Sequence, residues 1–217
     1  MLKQSQEYTH FSSTINNYIS VKMTDKGISY DEYNYSYIWD LVKLQGVVFR
    51  EFCFEGIASE RISGMLVCDY LETTIGVNQK LDEKSKIFTI SHEIIHYLFH
   101  MNSENAIFTD TPKNFCYSSQ EILQEFQANI GAAAVLIPEV IFIHYLKKGW
   151  SIQQLSDHFS TPENILYKRL IQTMQVNFDT SFVTAKKYAD DICYRFEKKG
   201  RKISTEIGTE LAVDIMI

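Results

Sequence analysis

The most constraining feature of this 217-residue chain is a stretch without glycine or proline, KIFTISHEIIHYLFHM, which starts at Lys86. Apolar residues lie on nearly every face of the helix that this stretch predicts, about residues 83–101, so the helix must be buried on most sides. The same stretch contains His92-Glu93-Ile94-Ile95-His96. Three polar side chains in apolar surroundings cost free energy unless they have partners. The fold must therefore supply those partners.

A metal ion is the partner that this spacing predicts. Positions four apart in an α-helix differ by about 40° in rotation and ~6 Å along the axis, so His92 and His96 can bind one ion from the same face. Glu93 is rotated by about 100° and can take a proton from a water at the metal. Metal-assisted hydrolysis needs these donors and this base. We expect Zn²⁺, because two imidazoles and a carboxylate favour zinc over manganese or iron.

A zinc site of this type needs a third protein ligand. The candidates are Glu121 and Glu125 on a second predicted helix, about residues 120–137, and His100 on the first helix. Glu125 is favoured, because the small residues after it would let the two helices approach closely. Asn129 lies one turn later on the same face and is a candidate donor behind the ligand. Continued rotation carries His100 around the helix, which favours a supporting role.

Composition and charge limit the function classes. The chain is 45% hydrophobic, and its longest apolar run is broken by Pro138. No segment approaches the ~20 apolar residues of a membrane span, and the N-terminus lacks an apolar signal core, so we expect a soluble cytoplasmic protein. The 21 Lys and Arg against 27 Asp and Glu give a net charge of −6. We therefore expect no direct nucleic-acid binding, which would favour a basic surplus.

The pattern along the chain predicts an α+β fold with a metallopeptidase core at residues 1–138 and a mostly helical C-terminal region at 139–217 packed on it. Residues 62–68 and 73–77 are β-branched and predict two strands of a small sheet joined by a hairpin. Three other segments are less regular. We expect an irregular arm or short helix at residues 1–30 and a loop at residues 102–119. At residues 29–55 we expect one or two helices, with a strand possible near Val47.

Two motif blocks carry a family resemblance. The segment GVNQKLDEKSKIFTISHEIIHYLFH, followed about thirty residues later by EFQANIGAAAVLIP, resembles the ImmA/IrrE family of zinc metallo-endopeptidases. The resemblance covers roughly residues 60–175 and implies a zincin-like core. It also implies that His92 and His96 are zinc ligands, Glu93 the catalytic base and Glu125 the third ligand, in agreement with the choice made from the residues.

Three positions depart from the family pattern. Position 95 is Ile where the family usually has Gly, position 127 is Gln where it often has Glu, and Gly131 replaces a usual aromatic residue. None of these changes removes a ligand or the base. The packing beneath the site is an open question at Ile95, because a β-branched side chain fills space that glycine leaves empty.

The resemblance implies a narrower function than proteolysis in general. Such enzymes cleave a helix-turn-helix transcriptional repressor of a mobile element or a stress response. Residues 149–170 resemble the helix-turn-helix-like region that follows the family's protease core, and we favour packing or repressor docking over DNA binding for it. Two alternatives stay open: a repressor-binding protein that does not cleave, and a DNA-binding regulator with a vestigial protease fold.

Two further segments have two interpretations each. The strand from Thr73 to Asn78 precedes the predicted metal helix and could be an edge strand that pairs with substrate, or an ordinary core strand. The aromatic run from Tyr30 to Trp39 could line a peptide groove, although a partly buried surface is the favoured interpretation.

Overall fold

The computed structural model describes residues 2–101, 106–110, 119–194 and 199–215, which belong to two compact units. One unit is Asn34–Val135, and the other combines Met1–Tyr33 with Leu136–Ile217. The predicted boundary near residue 138 lies close to the end of the first unit. The first 33 residues, which the sequence analysis assigned to the metallopeptidase core, group instead with the C-terminal helices.

The described elements confirm the predicted α+β class. In chain order they are α1 (Leu2–Lys26), α2 (Ser36–Leu44), β1 (Val47–Phe52), α3 (Ala58–Arg61), β2 (Gly64–Cys68), β3 (Thr73–Asn78), α4 (Glu83–Ile95), a π-helical turn (His96–His100), β4 (Ala106–Asp110), α5 (Ser119–Leu136), α6 (Glu139–Lys147), α7 (Ile152–His158), α8 (Glu163–Asn177), α9 (Phe182–Tyr194) and α10 (Arg201–Ile215).

A four-stranded sheet supports the motif helix in the unit Asn34–Val135. The strand order is β1-β3-β2-β4, with β1 parallel to β3 and with β2 antiparallel to both β3 and β4. Leu66 of β2 lies opposite Ile75 of β3, and both side chains are fully buried. Helix α4 packs on β2 and β3. The centre of the sheet is therefore the floor beneath the His-Glu motif.

The predicted hairpin and motif helix are both confirmed. The four residues between β2 and β3 turn around Asp69, whose Oδ1 accepts hydrogen bonds from the backbone N–H groups of Leu71 and Glu72. Asp82 begins α4 as its N-cap, because its carboxylate accepts from the backbone N–H of Ser85. This satisfies one of the backbone donors that every helix start leaves open.

Two local predictions differ from the structure, and a third had left two alternatives open. The N-terminal segment is the long helix α1, with Tyr8, Phe11, Ile15, Ile19 and Met23 buried at helical spacing; intervening Ser, Thr and Asn residues, which are poor helix formers, hid this pattern. Residues 29–55 contain both α2 and β1, so the alternative of a strand near Val47 is confirmed. The segment predicted as a loop at 102–119 contains β4, while its residues 102–105 and 111–118 lie outside the described part of the chain.

All the regular elements that the structure describes in the other unit are helices, which confirms the mostly helical character predicted for the C-terminal region. Helix α10 packs closely on α6, and its residues Ile203, Ile207 and Leu211 are buried. The N-terminal helix α1 is tied into the same unit by two polar contacts. The Tyr8 hydroxyl lies 3.2 Å from the Thr173 hydroxyl, and Asn16 Oδ1 accepts from the Glu139 backbone N–H at 2.7 Å.

Apolar helices of this length raise the question of a membrane span. Among the described residues, no single helix has both the length and the apolar character needed to cross a membrane. Helices α5 and α6 meet those criteria only when they are taken together across the break that contains Pro138.

The contact between α10 and α6 yields a stability prediction at Gly208. A Cβ at this position would lie 2.4 Å from the Lys147 backbone nitrogen. Gly208→Ala should therefore lower the free energy of unfolding by about 1–3 kcal/mol, the usual cost of overpacking. Without that contact the same change in a helix stabilises by about 1 kcal/mol. Urea unfolding measures the sign. The control is Thr209→Ala at the exposed neighbouring position, which should have little effect, and a stabilised Gly208→Ala protein would contradict the tight contact.

Candidate metal centre

The three predicted ligands come together in the unit Asn34–Val135. His92 lies in the last turn of α4, His96 begins the π-helical turn, and Glu125 lies on α5. The two imidazole Nε2 atoms are 3.1 Å apart. Glu125 Oε2 lies 3.3 Å from His92 Nε2, and Glu125 Oε1 lies 3.3 Å from His96 Nε2. The structure thus brings together two histidines that lie one turn apart along the motif helix and a glutamate from a distant segment of the chain.

These separations fit a tetrahedral metal ion. Zn²⁺ binds imidazole nitrogen and carboxylate oxygen at about 2.0–2.1 Å, so ligand atoms at two corners of a tetrahedron lie about 3.3 Å apart. The two Nε2 atoms lie just below that distance from each other, and each Nε2 lies at that distance from one oxygen of the Glu125 carboxylate, His92 from Oε2 and His96 from Oε1. The donor set also argues against Mg²⁺ and Ca²⁺, which take oxygen ligands. Among the described residues, His92, His96 and Glu125 form the one group of three or more candidate side chains close enough to hold an ion.

Burial and charge favour the ionised form of Glu125. His92 and His96 are almost fully buried, whereas a quarter of the Glu125 side chain is exposed. Burial alone would raise the pKa of the Glu125 carboxyl. Hydrogen bonds and charge interactions with His92 and His96 outweigh it and lower the pKa to about 2. A carboxylate that stays ionised at neutral pH is the form that binds a metal.

Glu93 is fully buried and lies beside the central sheet. Gly64 on β2 provides the space for it: a Cβ there would lie 2.4 Å from Thr89 Cγ2 and 3.0 Å from Glu93 Oε1. Gly64 is not among the residues predicted for the site. A glycine inside a predicted strand does signal a close approach by another group, and that signal was present in ISGMLVC.

His100 and Gln127 lie behind His96. His100 Nδ1 is 3.0 Å from His96 Nδ1, and His100 Nε2 is 2.9 Å from Gln127 Oε1. Burial, followed by the nearby His96, lowers the pKa of His100 to about 4. His100 is thus a neutral imidazole in contact with a candidate ligand, which agrees with the supporting role predicted for it.

The other predicted polar residues of α5 lie further from the centre. Glu121 is exposed, consistent with the preference for Glu125. Asn129 is also exposed, and its side-chain amide donates to the backbone carbonyl of Glu125 at 2.7 Å. Asn129 therefore donates to the backbone at the ligand position and supports the helix there.

The departures at positions 95 and 131 explain each other. A Cβ at Gly131 would lie 2.6 Å from Ile95 Cγ1 and 2.7 Å from Ile95 Cδ1. The Ile95 side chain, which is fully buried, occupies the volume that a larger residue at position 131 would need. The family pattern named above has a small residue at position 95 and a large one at position 131, whereas this chain has the large residue at 95 and the small one at 131.

Two further segments have clear roles. The strand β3 is central in the sheet, so its interpretation as an edge strand for substrate is wrong and the core-strand alternative is confirmed. Its last residue, Asn78, donates side-chain hydrogen bonds to the carbonyls of Ser59 and Ile62. Trp39 is half-buried and donates from Nε1 to the hydroxyl of Ser91 on α4, next to His92. Trp39 thus contacts the motif helix directly, a role that its aromatic character alone did not indicate.

Comparison with known proteins agrees with this geometry. The sequence model described as the IrrE N-terminal-like domain, of the M78 peptidase family, matches residues 47–171. That range is more than half of the chain and includes every residue of the metal centre. No match was found among curated proteins.

The centre predicts that metal affinity depends on Glu125. Glu125→Gln should weaken Zn²⁺ binding by more than about 100-fold, since losing a ligand costs more than the 10- to 100-fold typical of an outer partner. Glu121→Gln is the matched control, four residues earlier on the same helix, and should bind Zn²⁺ like the unaltered chain. Competition with a chromophoric chelator measures both constants. Equal affinities in the two variants would remove Glu125 from the centre.

The contact between Ile95 and Gly131 predicts coupled stabilities. Gly131→Ala should destabilise by about 1–3 kcal/mol through overpacking, and Ile95→Ala by about 2–5 kcal/mol through a cavity. The double variant should cost less than the sum by about 0.5–3 kcal/mol, since the new methyl enters the new space. Ile94→Ala is the control, because Ile94 is equally buried one position away. Its combination with Gly131→Ala should be additive, and additivity in both pairs would disprove the exchange of volume.

Proposed function

Because the chain belongs to the M78 peptidase family of the IrrE N-terminal-like domain, we propose that it is a zinc-dependent endopeptidase. His92, His96 and Glu125 hold the ion, and Glu93 is the catalytic residue. The observation that carries this proposal is the set of ligand separations of 3.1, 3.3 and 3.3 Å, with a fully buried glutamate directly after the first histidine.

The proposed mechanism divides the work among these residues. The bound ion supplies Lewis-acid polarisation of a water and of the scissile carbonyl. Glu93 would accept the proton of the attacking water as the C–O bond forms, and would then donate this proton to the amine nitrogen as the peptide C–N bond breaks. The Glu93 side chain has little freedom to move, because it is fully buried and its carboxylate lies close to Gly64 of the neighbouring sheet. A fixed base lowers the entropic cost of reaching the transition state.

The strand β4 is the proposed pairing partner of an extended substrate. In the described part of the sheet, β4 is an edge strand. Its residue Asp110 lies opposite Gly64 in the register, and Gly64 borders the Glu93 carboxylate. A peptide that added to this edge by main-chain hydrogen bonds would run along the sheet at about 10 Å, two strand spacings, from Gly64.

A helix-turn-helix repressor is the substrate that we propose. The resemblance to the ImmA/IrrE enzymes motivates this assignment, and the charge distribution supports it. Residues 34–135 contain 13 Asp and Glu against 7 Lys and Arg, a balance of −6, whereas the remaining residues contain 14 of each. The whole net charge thus belongs to the unit with the metal centre. An acidic unit attracts the basic surface of a DNA-binding protein.

The alternative of a DNA-binding regulator has less support. The second helix of the helix-turn-helix-like region, α8, offers Lys168 and Arg169 as adjacent basic residues. Arg169 is buried, donates to the carbonyl of Ile137 and lies over the ring of Phe142, so it does not reach a phosphate. Lys168 is exposed, but the first turn of the same helix carries Glu163, whose negative charge offsets the positive charge of Lys168. The non-cleaving repressor-binding protein stays the second candidate.

The decisive variant is Glu93→Gln. It should keep Zn²⁺ affinity close to that of the unaltered chain, because Glu93 is not a ligand, and should lower the cleavage rate by at least about 100-fold, the lower range for loss of a general base. The assay uses a purified helix-turn-helix repressor as the substrate, taken from a gene adjacent to that of this chain where such a gene encodes one. Intact mass measurement should find two fragments whose masses sum to that of the repressor plus one water.

Three outcomes separate the candidates. Fragments from the unaltered chain that vanish with a chelator and in Glu93→Gln support the endopeptidase. Stable association with the repressor and no fragments would support the non-cleaving binder. Cleavage that continues at full rate in Glu93→Gln would disprove the role of Glu93, and Glu83→Gln, an exposed position on the same helix, controls for the loss of charge.

A further inference from the structure

The side chain of Asn78, the last residue of β3, joins three stretches of backbone. It is 2% exposed, and its amide nitrogen donates to the carbonyls of Ser59 and Ile62 at 2.9 and 2.8 Å. Its amide oxygen accepts from the backbone N–H of Lys80 at 3.0 Å. An amide nitrogen has two protons to donate, and here both have carbonyl partners. A buried polar group satisfied in this way holds its partners rigidly.

These bonds fix the start of β2. The backbone N–H of Asn78 also donates to the carbonyl of Ser63 at 2.8 Å. The next residue, Gly64, is buried and lies opposite Val77 of β3 in the register. Ile62, whose carbonyl accepts from the Asn78 side chain, lies two residues before Gly64. Asn78 therefore holds the two residues that lead into Gly64, one through its side chain and one through its backbone.

Gly64 lies against the part of α4 that carries the candidate base. A Cβ on Gly64 would lie 2.4 Å from Thr89 Cγ2 and 3.0 Å from Glu93 Oε1. Any side chain at position 64 would thus displace both residues, the carboxylate by a few tenths of an ångström. Glycine weakens the interior of a strand, so a glycine here marks a close approach by another group. The missing side chain at position 64 therefore sets how closely the sheet approaches the Glu93 carboxylate.

Different neighbours of α4 position the candidate ligands and the base. Helix α5 brings Glu125 to the two histidines, whereas strands β2 and β3 pack on α4 from the sheet. We propose that Asn78 and Gly64 are positioning residues, which hold the sheet at the distance from α4 that keeps the Glu93 carboxylate in its working position. A catalytic group has to be held within about 0.5 Å of that position. The catalytic consequence rests on the proposed endopeptidase function, whereas the close approach of Gly64 to Glu93 does not.

Unfolding of the metal-free protein tests the close approach without any cleavage. All variants carry Thr89→Ser, which removes the methyl group that a Cβ at position 64 would meet at 2.4 Å. In this background Gly64→Ala should lower the free energy of unfolding, measured in urea. The loss should be smaller when Glu93→Ala shortens the neighbouring side chain, because residues in contact have coupled stabilities. A loss that does not change with Glu93→Ala would overturn the proposal.

Gly76→Ala in β3 is the matched control. A Cβ on Gly76 would lie 2.7 Å from the Phe52 ring and 3.0 Å from Met65 Cγ, so this variant overpacks the same sheet away from Glu93. Its loss of stability should be the same with and without Glu93→Ala. Equal coupling to Glu93→Ala at positions 64 and 76 would overturn the proposal, because the coupling would then not depend on the close approach of Gly64.

Kinetics separate a positioning role from a merely structural one. In the Thr89→Ser background, Gly64→Ala should lower kcat for repressor cleavage by about 10-fold, since a misplacement of about 1 Å costs roughly 100-fold and the expected shift is smaller. KM and Zn²⁺ affinity should stay close to those of Thr89→Ser alone, because α5 positions the metal ligands. Gly76→Ala should keep kcat despite its lower stability. Equal losses of kcat in the two glycine variants would overturn the proposal.

Asn78 is tested by two graded variants. Asn78→Ala removes both amide donors and should lower kcat by about 10-fold while Zn²⁺ affinity is retained. Asn78→Ser keeps one donor and should have an intermediate kcat. Full kcat in Asn78→Ala, or a parallel loss of Zn²⁺ affinity, would overturn the role of Asn78. Circular dichroism identifies any variant that fails to fold, in which case Asn78→Ser and the Gly64 variants carry the test.

The two proposals fail in different ways. If the stabilities of Gly64→Ala and Glu93→Ala are coupled and no repressor is cleaved, the sheet still positions the Glu93 side chain and the endopeptidase function falls. If cleavage requires Glu93 and a metal but continues at full rate in Gly64→Ala with Thr89→Ser, the endopeptidase stands and the positioning role falls.

Discussion

The close approach of α5 to the end of α4 is the contact on which the candidate centre depends. Two histidines on an apolar helix are stable only if a partner reaches them, and that partner is a carboxylate more than twenty-five residues away in the chain. Gly131 lets the helices meet because Ile95 fills the space where its side chain would be. The same approach brings Gln127 to His100. One helix contact thus supplies both the third candidate ligand and the support behind the second.

Local periodicity explains which features the sequence could predict. His92, Glu93 and His96 are close in the chain, so helix geometry alone relates them. Glu125 required a judgement about helix approach, for which its small neighbours gave the signal. The π-helical turn had no such signal, because His96–His100 reads like any other α-helical segment. Strand β4 was missed because five residues inside a polar loop gave no clear alternation.

Departures from a family pattern can be informative when they occur in pairs. Ile95 and Gly131 each look unfavourable beside the family's usual residues, yet in contact they conserve volume, the kind of core change that proteins tolerate best. Gln127 in place of glutamate keeps an acceptor for His100 while removing a charge. These three positions surround the centre without contributing a candidate ligand. The chemistry of the site is thus compatible with more than one way of packing the helices that carry it.

X-ray absorption at the zinc edge tests the central claim most directly, because it reports the atoms bound to the ion. For the chain loaded with one equivalent of Zn²⁺, the account predicts four light donors at about 2.0–2.1 Å and the multiple scattering of two imidazole rings. A sulfur donor near ~2.3 Å, or a spectrum without imidazole scattering, would contradict a centre built from His92, His96 and Glu125.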